Sequence, residues 1–185
     1  MKKKTKYLSM GIAAIVITSG IVGIYLFVTF IESQTPIGRY GPGAVYDSQL
    51  QKTIIFGGGT QDASGWEVLG DMWTYDSTGN TWSEIVPTNK PSARAGHAMV
   101  YDSFNQKTIL FGGWAGNVGL TNDTWIYDSQ TTQWTEVFPN TAPESRQSYA
   151  TYYDPITQKV ILFGGYKEPA PHYNDTWEYN YSNNT

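Results

Sequence analysis

The chain has 185 residues, of which 15% are aromatic and 15% charged, with 19 glycines and no cysteine. This composition excludes a disulfide framework, a thiolate metal site and a cysteine nucleophile, and it suits short strands joined by tight turns rather than helices. The net charge of −4 hides an asymmetry, since Lys2, Lys3, Lys4 and Lys6 carry four of the twelve basic residues and leave eight against sixteen acidic ones from Tyr7 onward. A body of that sign disfavours non-specific nucleic-acid binding, so no nucleic-acid partner is expected.

In chain order, residues 1–6 form a basic stub. No charged residue occurs from Tyr7 to Ile31, which as a helix of about 37 Å would cross a hydrocarbon core of about 30 Å with some tilt. The lysine cluster before it predicts a cytoplasmic N-terminus, a single membrane pass over 7–31 and everything after Glu32 outside the cell membrane. A cleaved signal peptide is the rival, with Thr18-Ser19-Gly20 as its site. Eleven further uncharged, mostly apolar residues follow that site, and their length favours an uncleaved anchor. Residues 32–38 read as a short polar tether.

From residue 39 the sequence repeats. Phe56-Gly57-Gly58, Phe111-Gly112-Gly113 and Phe163-Gly164-Gly165 recur in step with Tyr46-Asp47, Tyr101-Asp102 and Tyr153-Asp154. Arg39, Arg94 and Arg146 keep the same register, as do Trp73, Trp125 and Trp177; Trp82 and Trp134 match in two copies. The repeats span 39–86, 94–138 and 146–185. Each predicts a short first strand (Gly43–Tyr46, Ala98–Tyr101, Ala150–Tyr153), an Asp-led turn, and an apolar second strand (TIIF, TILF, VILF) buried on both faces. Gly-Gly turns the backbone, a variable loop follows, and a Trp/Tyr-alternating third strand leads to a fourth, TWSEIV or QWTEVF. A period of about 50 residues with four antiparallel strands per unit is a propeller signature.

Carrying a Gly-Gly after the second strand and a spaced Tyr and Trp later, the chain resembles the kelch family of β-propellers. The matching residues are Gly57-Gly58 with Tyr75 and Trp82, and Gly112-Gly113 with Tyr127 and Trp134. In the third copy Gly164-Gly165 and Tyr179 match without a closing Trp. The resemblance implies an all-β fold, a partial kelch-type propeller of four-stranded antiparallel blades. The uncharged run places the expected transmembrane helix before it, and the repeat spacing leaves the last blade without its fourth strand. Three blades are fewer than the four to eight of a closed ring. The chain is then read either as a piece of a longer propeller, the preferred reading, or as one copy of a homo-oligomer that completes the ring. The Pro36-containing tether is a poor donor strand for the missing position.

The variable loops Gly59–Gly70, Trp114–Thr121 and Tyr166–Tyr173 share one end of the blades, where repeat proteins commonly bind ligands. They hold Trp66, Trp114, Tyr166, His172 and Tyr173, aromatic groups able to stack on a sugar ring or a peptide side chain; the plainer reading is that they pack over blade ends. Arg39, Arg94 and Arg146 begin each first strand near the central mouth and would suit a carboxylate or phosphate. Their recurrence with the blade favours a structural anchor instead. Asp71, Asp123 and Asp175 recur before each Trp and read as turn residues. His97 and His172 lack clustered partners, so no metal, cofactor or catalytic residue is expected. Galactose-oxidase-type copper chemistry needs a Cys cross-linked to a Tyr, and the chain has no Cys. The expected function is a membrane-anchored binding scaffold for a protein or ligand. The alternatives are a carbohydrate-binding or carbohydrate-active propeller, assisted by an acid such as Asp62 or Glu67, and a truncated propeller without independent function.

Overall fold

The computed structural model describes residues 35–63, 65–169 and 172–185. The chain divides into two compact units, Met1–Thr35 and Pro36–Thr185. The expected stub, the transmembrane segment 7–31 and the start of the tether lie outside the described residues. Among the described residues no helix is long and apolar enough to cross a membrane.

The second unit is built of antiparallel strands. The first repeat contains β1 (Gly43–Asp47), β2 (Lys52–Phe56), β3 (Gly59–Asp62), β4 (Gly65–Val68), β5 (Met72–Asp76) and β6 (Thr81–Ile85). The second contains β7 (Ala98–Asp102), β8 (Lys107–Trp114), β9 (Leu120–Asp128) and β10 (Gln133–Val137), and the third β11 (Ala150–Asp154), β12 (Lys159–Phe163) and β13 (Thr176–Tyr179). The sheet orders are β1-β2-β5-β6, β7-β8-β9-β10 and β11-β12-β13, each meandering outward from its first strand. Adjacent first strands pack side by side, β1 on β7 and β7 on β11. The described residues therefore form two four-stranded blades and a three-stranded one.

Two sequence expectations need correction. The stretch Gly59–Gly70 contains a two-stranded hairpin, β3 with β4, in the register Gly59↔Val68 and Gln61↔Trp66. In the second repeat the strands reach into both ends of the expected loop. β8 runs on to Trp114, β9 starts at Leu120, and one 3-10 turn (Gly116–Val118) joins them. The second strands also differ in burial. Only β8 is buried on both faces, because only it has a sheet on either side; β2 and β12 alternate.

The core fills the two gaps between sheets. In the first, Val45, Ile54, Phe56 and Met72 meet Met99, Leu110, Tyr127 and Trp134. In the second, Val100, Ile109 and Ile126 meet Val160, with Tyr153 and Tyr179 against them. Trp134 is 2% exposed and lies 5.1 Å from the Tyr127 ring, which explains its spacing from Tyr127: both fill the same gap.

Gly-Gly has a specific geometric cause. Gly57 sits at φ +63°, and a Cβ there would lie 2.5 Å from the Arg94 carbonyl of the next blade. Gly57→Ala combines left-handed strain with a clash against backbone and is expected to destabilise the fold by about 2–4 kcal/mol, read from urea unfolding.

Candidate functional site

Each blade begins with an arginine whose guanidinium is spent on its own blade. Arg39 forks onto Asp71 at 2.6 and 2.8 Å and donates to the Gly57 carbonyl at 3.0 Å. Arg94 does the same with Asp123, at 2.6 and 2.7 Å, and with Gly112; Arg146 pairs with Asp175 and Gly164. Each aspartate also accepts the indole N–H of the Trp two residues on, at 2.6–2.7 Å. Each arginine Nε donates to the carbonyl two residues back, at Ile37, Ser92 and Glu144. The result is a clamp of Arg, Gly-Gly carbonyl, Asp and Trp that ties the blade's entry to its second and third strands.

Electrostatics follow from this arrangement. Burial raises the Asp71 and Asp123 carboxyls, but bonding from Arg39 and Arg94 and from the indoles outweighs it, and both end below the usual carboxylate range. Bonding from Arg146 holds Asp175 at about 2. Arg94 and Arg146 are each 1% exposed, and all three guanidinium groups are committed to an aspartate and a carbonyl of their own blade. The aspartates, read from sequence as turn residues, are the arginines' partners.

The aromatic residues behave differently. The Trp66 ring lies 5.9 Å from Tyr40 and 4.2 Å from Trp114, tilted to both. With Tyr166, Gln147, Lys167 and Glu168 these rings line an open cleft of about 700 Å³. Tyr40 is 50% and Trp66 39% exposed, so the platform faces solvent.

The backbone explains why these side chains meet. In every blade the residue after the arginine bridges the residue after Gly-Gly: Tyr40↔Gly59, Ala95↔Trp114 and Gln147↔Tyr166. The frame is constant while the side chains on it vary from blade to blade, which is how a repeated scaffold acquires an individual surface.

The structure thus brings Trp66, Trp114 and Tyr166 together. His172 bridges Tyr166, with rings 5.9 Å apart, but does not line the cleft. The Tyr173 ring lies 3.9 Å under the Arg146 guanidinium, and its hydroxyl donates to Glu144. Glu67 lies on β4, while the acid lining the cleft is Glu168; the Asp62 side chain lies outside the described residues. Sequence reasoning missed Tyr40 and Gln147, although their place directly after the repeated arginine was a usable signal. Among the described residues no cluster of His, Asp and Glu is placed to hold a metal ion.

Residues 28–185 match the KLHDC2/KLHL20/DRC7 Kelch-repeats domain family. Over 133 residues, 69% of the chain, the sequence is 32% identical to the dynein alpha chain of the flagellar outer arm from Chlamydomonas reinhardtii. The chain spans about 3% of that protein's length. Kelch domains generally serve as non-enzymatic protein-interaction scaffolds. With its match across most of the sequence, its Gly-Gly blades and its repeated aromatic register, the chain belongs to the kelch-repeat family.

Proposed function

We propose that the chain is a single-pass, membrane-anchored extracytoplasmic scaffold that binds a segment of a partner protein in the Tyr40–Trp66–Trp114–Tyr166 cleft. One observation carries this reading: aromatic residues from three successive repeats line one cleft on the end of the blades where the connections vary. Rigid, half-exposed Tyr and Trp rings supply large contact area at little entropic cost and dominate binding at protein interfaces. Gln147 and Lys167 at the rim offer donors to a peptide backbone or an acidic side chain.

The test is panning of a random dodecapeptide display library on the full chain in detergent micelles. Enriched peptides are expected to bind Trp66→Ala at least about tenfold more weakly, the scale of a lost aromatic anchor. Binding should be unchanged in Phe104→Ser, a 63% exposed residue in the turn at the opposite end of the blades. Equal binding to all three proteins would remove the cleft from consideration.

A glycan reading draws on the same rings, because two tilted indoles 4.2 Å apart make a platform for a sugar face. Trp66-dependent binding of cello- or chito-oligosaccharides, with no peptide enriched, would replace the peptide reading. The anchor rests on the uncharged run Tyr7–Ile31 behind four lysines. The full chain should stay with membranes on alkaline extraction, and a mature N-terminus beyond residue 31 would contradict it.

A further inference from the structure

At its repeated positions the aromatic cleft has no backbone left to offer a ligand. Tyr40 and Gly59 exchange both N–H to C=O bonds, at 3.0 and 2.8 Å. Ala95 and Trp114 do the same at 2.9 Å each, and Gln147 and Tyr166 at 3.1 Å each. An extended peptide that joins a sheet as a further strand needs a row of free backbone donors and acceptors. The three bridges use up that row at Tyr40, Trp114, Gln147 and Tyr166, so recognition there falls to side chains.

Those side chains are chiefly rings and donors. Three of the seven tryptophans give their indole N–H to an aspartate. Among the described residues nothing accepts from the indoles of Trp66 and Trp114, the hydroxyls of Tyr40 and Tyr166, or the side-chain amide of Gln147. The rings are inclined to one another, by 36° between Tyr40 and Trp66 and by 49° between Trp66 and Trp114. The wall they make is therefore faceted rather than flat. Lys167 and Glu168 offset each other at the rim.

We infer that the cleft takes a proline-rich segment in the polyproline II conformation, an inference that rests on the cleft being the binding site. A segment of this kind has no internal hydrogen bonds, so its carbonyls stand free to accept from the cleft's donors. Proline has no N–H, so the cleft need not supply acceptors in return. The pyrrolidine rings repeat every third residue, about 9 Å apart along a stiff rod, and pack on successive facets of an aromatic wall. Little order is lost on binding, because the rod is already formed. A helix would satisfy its own carbonyls and leave the cleft's donors unpaired when it covered them. From Tyr7 onward eight basic residues face sixteen acidic ones, and that excess favours basic residues at the ends of the segment.

The probe is an L-octaproline with an arginine at each end, titrated into the full chain in micelles and followed by calorimetry. Its control alternates L- and D-proline, which keeps the composition and removes the polyproline II rod. The all-L peptide is expected to bind at least about tenfold more tightly than the control. Tyr40→Phe keeps a ring and removes a donor, and should weaken binding about three- to tenfold, the scale of one hydrogen bond. Trp66→Ala should weaken it by about tenfold or more. Equal binding of the two peptides, or binding of neither, overturns the inference. So does all-L binding that Tyr40→Phe and Trp66→Ala both leave unchanged. Proline-free library peptides that depend on Trp66 would remove the proline preference and keep the cleft, whereas library peptides indifferent to Trp66 would remove both.

Discussion

Replacing Arg94 with methionine is expected to destabilise the fold by about 3–5 kcal/mol, the cost of leaving a buried partner charge uncompensated. Arg94 is 1% exposed, and its partner Asp123 has a side chain 20% exposed, so water does little to screen the pair. The substitution also strips donors from the Gly112 carbonyl and from Thr121 and Ser92. Lysine should not rescue it, because a point charge cannot make the two-pronged contact to Asp123 together with the carbonyl bond. Arg146→Met should cost less although the arginine is equally buried, since Asp175 is 38% exposed and can be rehydrated where it stands. Urea midpoints for the variants provide the check. Equal losses at both positions would show that arginine burial, rather than the partner's exposure, sets the cost.

The second large effect is on pH dependence. His97 is 8% exposed, wedged against Phe56 at 5.6 Å, and neither ring nitrogen has a partner among the described residues. Burial, then the Arg94 charge, push its pKa down to about 3, opposed only by Asp123. An unfolded chain has this histidine near 6.5. Below that value the unfolded state takes up a proton that the native state refuses, so stability falls as pH falls. The loss approaches about 1.4 kcal/mol per pH unit from roughly pH 6 downward, and vanishes above about pH 7.5. In His97→Leu the slope between pH 6.5 and 5 should flatten. Denaturant midpoints at pH 8, 6 and 5 for both proteins decide it, and parallel curves would place the proton elsewhere.

The repeat was legible in the sequence because a blade is a unit whose Gly-Gly, Tyr-Asp and Trp must return at fixed places to fill the same gaps. The partners within that unit were less so. Arg94 and Asp123 each stand out as recurring, but nothing local says that side chains 29 positions apart meet. The pairing appears only when β7, β8 and β9 are laid side by side. The hairpin of β3 and β4 was hidden because Gly59-Thr-Gln-Asp lacks the apolar alternation that marks a strand, its register being held instead by Tyr40 and the Gly-Gly backbone. Trp66, Trp114 and Tyr166 were legible as loop aromatics. Tyr40 was not, because it sits directly after a structural arginine and outside the variable loops. The full burial expected of all three second strands held only for β8, since burial belongs to the neighbours of a sheet and not to its own residues.

The most direct test of the account is the indole N–H region of the NMR spectrum of the full chain, titrated with a peptide selected on it. The seven tryptophans divide by role. Trp66 and Trp114 line the cleft, Trp73, Trp125 and Trp177 are held by their aspartates, and Trp82 and Trp134 belong to the outer strands β6 and β10. The account predicts that the Trp66 and Trp114 signals move and broaden first, while the three clamped indoles stay in place. Saturable binding that shifts Trp82 and leaves Trp66 and Trp114 untouched would contradict it.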